Sequence, residues 1–294
     1  MGTDLKAHYE KHGYVIIPGL IDSEGRSELE QACERVVART REGSWLHRRT
    51  VGKQFPPYGQ DNPDSWGVQH LMHPGLNEPA FAKWYTSPKL LGVATELLGC
   101  EVEDLQMELF NLLINPTSHD FALRWHRDDV RENATPEEEL KALNIWHYGV
   151  QWNTALYVDS CLYIVPGSQS VPRTKEQRRL SSGQTPENPL DMPGSIKVIL
   201  QPGETVFYNS NILHCATYSS KEKRATLHGC MGNAKGGASR ARNILQHELD
   251  WMKEEEFKCT LPNSAARAML NKLRVMQLNG GSGQGGEISY SLQN

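Results

Sequence analysis

The sequence predicts a mainly β protein with helices (α+β), in which a sandwich or jelly-roll core sits behind a helical front and is closed by C-terminal helices. Three observations carry that expectation. From residue 101 the chain breaks into short β-rich stretches separated by Gly/Pro turns. The first hundred residues carry helical periodicity and capping signals. The two candidate metal-ligating segments, Trp125-His126-Arg127-Asp128 and the strand ending in His214, lie far apart in sequence, as ligands on neighbouring strands of a jelly roll do.

Asp22-Ser23 caps a helix through Leu29, Ala32, Val36 and Val37 that ends near Gly43. Residues 44–75 are rich in Trp, His, Pro and Tyr without periodicity and read as one long loop. Ser87 caps a second helix, with Leu90, Leu91, Val93, Ala94, Leu97 and Leu98 on its apolar side and Gly99 as its stop. Strands follow at Glu101–Asn115, Tyr148–Val158, Cys161–Val165, Ser195–Leu200, Glu204–Tyr208, Ile212–Tyr218 and Arg224–Met231. Pro166-Gly167-Ser168, Pro193-Gly194 and Pro202-Gly203 are the turns between them. Thr135-Pro136, with acidic residues at 137–139, starts a short inserted helix over 134–143. The C-terminal helices are expected at Ala241–Phe257 and Ser264–Leu278. Residues 1–278 then form a single domain, and 279–294 a Gly-rich flexible tail.

Composition excludes several function classes. Lys+Arg 31 nearly balance Asp+Glu 35, with no basic run, so neither nucleic acid nor an acidic membrane is the expected partner; a small-molecule substrate fits better, and a homodimer stays open. The six cysteines are scattered without a C-x-x-C pair, which reads as reduced thiols rather than a zinc module or a disulfide framework. The N-terminus lacks the apolar core of a signal peptide, and no apolar stretch approaches the ~20 residues of a membrane span. A cytoplasmic protein is expected.

Chemistry concentrates in four residues. His126, Asp128 and His214 supply two imidazoles and one carboxylate, the ligand set that holds a non-haem Fe(II) while leaving coordination positions open. A lone H-x-D is weak in a chain with 11 histidines, and a polar surface loop is the bland alternative. Geometry strengthens it: residues two apart on an extended segment share a face, so one strand end presents both side chains to one ion. Cys215 then faces away from His214 and reads as a packing thiol. Arg224, ten residues past His214, shares a strand face with Thr226; a planar fork beside a hydroxyl suits a carboxylate, although alone Arg224 would read as an ordinary ion pair.

In these motifs the sequence resembles the phytanoyl-CoA dioxygenase family of Fe(II)/2-oxoglutarate-dependent oxygenases. The resemblance runs from His12-Gly13-Tyr14-Val15-Ile16-Ile17-Pro18-Gly19 to at least Gly232, through Leu112-Leu113-Ile114-Asn115-Pro116, Trp125-His126-Arg127-Asp128, Tyr163-Ile164-Val165-Pro166-Gly167-Ser168, His214 and Arg224. It implies a double-stranded β-helix, iron held by His126, Asp128 and His214, and 2-oxoglutarate chelating the iron with its 5-carboxylate on Arg224. Other co-substrate contacts would fall at Leu112 and Asn153. The sequence departs from the family where Asn115 precedes the proline in place of lysine, where Ala216 replaces a small hydroxyl residue and leaves Thr217 to substitute, and where Gln169 replaces a common histidine. Gln151 and Asn153, on one strand face, are the candidates for the 1-carboxylate.

The implied reaction consumes O2, decarboxylates 2-oxoglutarate to succinate and oxidises a substrate C–H, with hydroxylation as default and desaturation, cyclisation or endoperoxide formation as variants. Within the resemblance, Asp128 argues against halogenation. A lipid-like or natural-product substrate is expected. Residues 44–75 (Trp45, His47, Arg48, Arg49, Phe55, Tyr58, Trp66) and 129–147 (Trp146, His147) are candidate lids, though aromatic packing explains each as well. Arg48-Arg49 would meet an anionic substrate if not merely solvated, His70 and His73 read as an ordinary loop pair, and His228 is a further pocket candidate. Two readings compete: a non-catalytic metal- or 2-oxoglutarate-binding relative, and a cupin-like isomerase or hydrolase, which Arg224 disfavours.

Overall fold

A computed structural model describes residues 4–52, 55–56, 64–145, 148–183 and 185–280. The strands are β1 (Tyr14–Ile17), β2 (Arg48–Thr50), β3 (Ser65–Val68), β4 (Leu105–Ile114), β5 (Phe121–Ala122), β6 (Gly149–Ala155), β7 (Leu162–Val165), β8 (Ile196–Lys197), β9 (Thr205–Tyr208), β10 (Leu213–Tyr218) and β11 (Ala225–Asn233). They form two antiparallel sheets, one ordered β1-β9-β6-β11-β4-β3-β2 and a smaller one ordered β5-β10-β7-β8. Apart from β2–β3, β3–β4 and β7–β8, neighbours in space are not consecutive in sequence, as expected of a jelly-roll core.

The helices are α1 (Leu5–His12), α2 (Ser23–Arg41), α3 (Pro79–Tyr85), α4 (Pro88–Leu98), α5 (Pro136–Leu143), α6 (Lys175–Ser181), α7 (Ala241–Leu245), α8 (Glu255–Thr260) and α9 (Ser264–Gly280). Their starts obey local chemistry. Asp22 caps α2 by accepting from the Gly25 N–H, Ser87 caps α4 from the Leu90 N–H, and Thr135 and Glu138 form a reciprocal capping box on α5. Gly99 ends α4 in the left-handed region at φ 61°, where a side chain would be strained.

Alternation along the long strands sorts two environments. On β4 and β11, Phe110, Leu112, Leu227 and Met231 join a large apolar core with residues of α2, α3, α4 and α9. The other face, carrying Asn111, Leu113, Thr226 and His228, turns towards the small sheet. One sheet face is therefore sealed with hydrocarbon while the other is left for polar chemistry. A bulge interrupts the β4–β11 ladder: Gly229 pairs with Phe110 but Met231 pairs with Met107. The buried Tyr85 hydroxyl closes the gap, donating to the Cys230 carbonyl at 2.7 Å and accepting the Glu108 N–H at 2.9 Å.

Three expectations change. Residues 44–75 are not one loop, because β2 and β3 add two strands to the large sheet there. Buried Arg48 and Arg49 occupy β2, so no apolar alternation announced it. The helix expected at 241–257 is broken into α7, a 3₁₀ segment at Leu249–Lys253 and α8; Glu248 adopts a left-handed φ of 56° at the break. Finally, α9 continues to Gly280, two residues into the expected tail. The rest of that tail, together with Tyr58, Trp146 and His147, lies outside the described residues. No helix among the described residues is long and apolar enough to cross a membrane.

Removing the Tyr85 hydroxyl strands a buried carbonyl and a buried N–H at the bulge. Tyr85→Phe should therefore lower the unfolding free energy by about 1–3 kcal/mol in urea denaturation, with little change in circular dichroism.

Candidate metal centre

His126 and His214 face each other in an isolated antiparallel bridge, each N–H donating to the other's carbonyl, at 2.9 and 3.1 Å. Their rings lie 4.2 Å apart between centroids. The Asp128 N–H donates to the Ser210 carbonyl at 2.9 Å, turning the carboxylate back towards both rings, so that Oδ1 is 3.7 Å from each Nε2. One ligand atom from each of the three residues lies within 4.8 Å of the others, the only such group among the described residues.

Protonation suits the same purpose. His126 Nδ1 lies 2.8 Å from the Arg124 carbonyl and His214 Nδ1 2.8 Å from the Ile212 carbonyl. A carbonyl only accepts, so each Nδ1 carries the proton and each Nε2 presents its lone pair to the centre. Burial pushes both imidazoles down to about 4, with mutual repulsion adding to the shift at His126, and both are neutral near neutral pH. Burial raises the Asp128 carboxyl, Gln151 Nε2 donates to its Oδ2 at 2.7 Å, and Oδ1 lies on the side of the two rings.

The backbone that carries these candidate ligands is clamped by Arg127, between His126 and Asp128 in sequence. Its guanidinium donates to the carbonyls of Asn211, Ser168 (2.6 Å) and Val171 (2.9 Å) and to Glu139 on α5 (2.9 Å). Glu139, with no exposed side-chain surface, also receives Arg173 at 2.9 Å and Arg178 of α6. One buried carboxylate thus anchors three guanidiniums and joins both ligand segments to the inserted helix.

Arg224 precedes β11 and is buried, with its guanidinium carbon 4.7 Å from the Tyr218 ring centroid. Nε donates to Asp159 Oδ2 at 3.0 Å and the Thr226 hydroxyl donates to the same oxygen. Burial alone would raise the Asp159 carboxyl, yet Arg224 and Thr226 outweigh it and hold it below the usual range. Nη1 of Arg224 is buried with no hydrogen-bond partner, and Arg224 lines the same pocket as the histidines and Asp128. A buried guanidinium nitrogen without an acceptor is an incomplete site.

Several predicted contacts move. Thr226 is not a free partner of a ligand carboxylate, since its hydroxyl is spent on Asp159. Gln151 serves Asp128, and Asn153 Oδ1 is taken by His228 Nδ1 at 2.8 Å. Leu112 pairs with Leu227 and lies in the apolar core on the opposite sheet face; Leu113 lines the pocket instead. Thr217 alternates away as well, and Ala216 faces the cavity. Cys215 packs with Trp125 and Tyr163, as expected of a buried thiol. Among the lid candidates, Arg49 and Phe55 line the pocket, whereas Trp45, His47, His70 and His73 form an aromatic cluster with Trp251.

Asp159, Tyr208, Tyr218, Asn243 and His247 were not singled out by sequence. Period-two counting from His214 points to Tyr218; Tyr208 required the pairing with Gln151, and Asp159 sits in an isolated β-bridge with Leu200 that has no signal of its own.

The profile of the phytanoyl-CoA dioxygenase (PhyH) family matches residues 9–225, about three quarters of the chain. The chain belongs to that family. The matched span includes both histidines, Asp128 and Arg224, and ends at the first residue of β11. Solved structures share the fold. EctD from S. alaskensis, with 2-oxoglutarate and 5-hydroxyectoine, is 15% identical, with TM-score 0.57 over 80% of this chain and 77% of that one. The α-ketoglutarate-dependent carbocyclase SnoK from nogalamycin biosynthesis is 21% identical, with TM-score 0.52 over 80% and 85%. The epimerase SnoN from the same biosynthesis is 18% identical, with TM-score 0.52 over 78% and 80%. No sequence among curated proteins matches the chain significantly.

Removing the carboxylate that gathers Arg127, Arg173 and Arg178 leaves buried cations uncompensated. Glu139→Gln should cost about 3–5 kcal/mol of unfolding free energy, measured by chemical denaturation.

Proposed function

We propose that this protein is an Fe(II)- and 2-oxoglutarate-dependent oxygenase that oxidises a C–H bond of a small organic molecule. The observation that carries the reading is the convergence of two Nε2 lone pairs and one carboxylate oxygen in a pocket that also holds the partnerless Nη1 of Arg224. Two imidazoles and one carboxylate suit non-haem iron and leave positions open for a bidentate acid and dioxygen. When bound, these groups supply the oxidising equivalents, with 2-oxoglutarate leaving as succinate and CO2.

The chain's own residues do the rest. His126, Asp128 and His214 hold the metal, and the Arg124 and Ile212 carbonyls fix the tautomers that make both rings ligands. Gln151 orients Asp128 so that one oxygen faces the centre. Arg224 takes the distal carboxylate of the co-substrate through Nη1, while Asp159 fixes the guanidinium plane from behind and keeps it charged. Asn153, its Oδ1 occupied by His228, offers its amide nitrogen to the proximal carboxylate. Tyr208 packs edge-on against His214 at 5.6 Å and shields it from water.

Hydroxylation is the default outcome. The solved structures of this fold include an epimerase and a carbocyclase, so product analysis with a turned-over substrate identifies the reaction here.

Anaerobic addition of Fe(II) and 2-oxoglutarate should produce the weak visible charge-transfer band of the chelate, and admission of oxygen should release succinate. A protein that gives neither is not such an oxygenase. Asp128→Ala should abolish the band, and Arg224→Gln should leave it attainable only at 2-oxoglutarate concentrations raised by about tenfold or more. Gln151→Leu should weaken metal binding by about 10–100-fold while Asp128 remains in place, measured by competition with a chelator.

A further inference from the structure

Gln151 and Asn153 mark the side of β6 that faces the metal centre, and the strand beside it carries a polar group there with no task. In the register of β6 and β9, Gln151 pairs with Tyr208 and Asn153 with Val206. Paired residues project from one face, so Tyr208 leaves the sheet on the side from which Gln151 reaches Asp128, as the diagonal neighbour of Asn153. Tyr14 of β1 pairs with Tyr208 from the other edge, which fixes its backbone on both sides. Two residues on, the Ser210 carbonyl accepts the Asp128 N–H at 2.9 Å. The position of Tyr208 is therefore tied to that of the carboxylate.

The Tyr208 ring is seated among Leu162, Ile164 and Ile212 and lies edge-on to His214 at 5.6 Å between centroids. The residue is 3% exposed, yet it lines the cavity shared by His126, Asp128, His214 and Arg224. Among the described residues none hydrogen-bonds its hydroxyl. Tyr85, by contrast, spends its hydroxyl on Cys230 and Glu108. A buried phenol ordinarily finds a partner, and an unspent one at a cavity wall is a donor waiting for an acceptor. Burial, and then the charges of Asp128 and Tyr218, push the phenol well above its ordinary range, while Arg224 pulls it the other way. The hydroxyl thus lies in the fields of both Asp128 and Arg224 and feels Asp128 more strongly, at the metal end of the cavity.

We propose that the Tyr208 hydroxyl donates a hydrogen bond to the metal-proximal carboxylate of 2-oxoglutarate, forming with Asn153 a two-donor seat for that group. The inference deepens the oxygenase reading above and rests on it, because Arg224 is assigned there to the distal carboxylate. On this arrangement the acid is gripped at both ends by groups on different strands, Tyr208 and Asn153 at the metal and Arg224 at the far end.

The test is anaerobic titration of the Fe(II)-loaded full chain with 2-oxoglutarate, in which the visible band gives both an affinity and a position. Tyr208→Phe, which keeps the ring, should weaken 2-oxoglutarate by roughly five- to tenfold and move the band, since a donor to the chelating end is lost. Its Fe(II) affinity, measured by competition with a chelator, should change by less than about twofold. Arg224→Gln should weaken 2-oxoglutarate by about tenfold or more without moving the band. In the double variant the two losses should multiply to within about twofold, as for contacts at separate ends of one ligand.

Unchanged affinity in Tyr208→Phe overturns the proposal. So does a loss of affinity with the band unmoved, because the hydroxyl would then serve the distal end. A matching loss of Fe(II) affinity also overturns it, because Tyr208 would then act through Asp128. If Tyr208→Phe does not fold, the unaltered chain labelled with 3-fluorotyrosine decides. Oxalate, which has no distal carboxylate, should move a fluorine resonance of its zinc-loaded form, and a spectrum without change overturns the proposal. Failure of the unaltered protein to form the band defeats the oxygenase reading and this proposal with it, whereas a normal band that Tyr208→Phe leaves untouched defeats this proposal alone.

Discussion

The pair of backbone hydrogen bonds between His126 and His214 is the constraint on which the site depends. It aligns the loop leaving β5 with the start of β10, and so sets two imidazoles side by side before any ion is present. Such a bridge is weak alone, as a net backbone hydrogen bond contributes only about 0.5–1.5 kcal/mol. Arg127 makes it rigid. Its guanidinium ties the segment holding His126 and Asp128 to the Asn211 carbonyl just before β10, and Glu139 locks that guanidinium from the far side. The geometry of the three side chains is thereby coupled to α5 and α6, two short helices that contribute none of them.

The same economy recurs through the interior. Buried guanidiniums are answered by buried carboxylates, Arg224 by Asp159 and Arg240 by Glu108, each pair with side chains almost wholly removed from water. Pairing of this kind is neutral for stability at best, because desolvation offsets most of the attraction. What it gives is placement. A cation fixed by an internal partner is held in place at the cavity wall, as Arg224 is, with its buried Nη1 left without a hydrogen-bond partner. The large sheet divides the labour, with hydrocarbon on its helix-covered face supplying cohesion and the polar face supplying chemistry.

The sequence revealed those parts governed by local rules. Capping residues marked α2, α4 and α5, Gly/Pro turns separated the strands of the core, and spacing pointed to His126, Asp128, His214 and Arg224. Tertiary pairing obscured the rest. Arg48 and Arg49 read as solvated because charged neighbours usually are, yet they form a strand whose Arg49 side chain passes over Gly67 to reach the cavity. Thr226 shares the face of Arg224, but its hydroxyl serves Asp159, whose bridge to Leu200 no sequence pattern distinguishes. Leu112 failed for a simpler reason: a shift of one position on a strand moves a side chain to the other face.

Each imidazole of the candidate centre is oriented by the carbonyl two residues earlier in its own chain segment, Arg124 for His126 and Ile212 for His214. The orienting group is main chain, so it survives any substitution that leaves the local path of the segment intact. Ring orientation is in this sense inherited with a three-residue stretch and does not depend on a distant side chain changing in step. A lineage can then rebuild the surrounding walls, including the segment after β11, without re-evolving how the imidazoles point. This independence of imidazole and wall gives a physical route by which chains only 15–21% identical can share one fold.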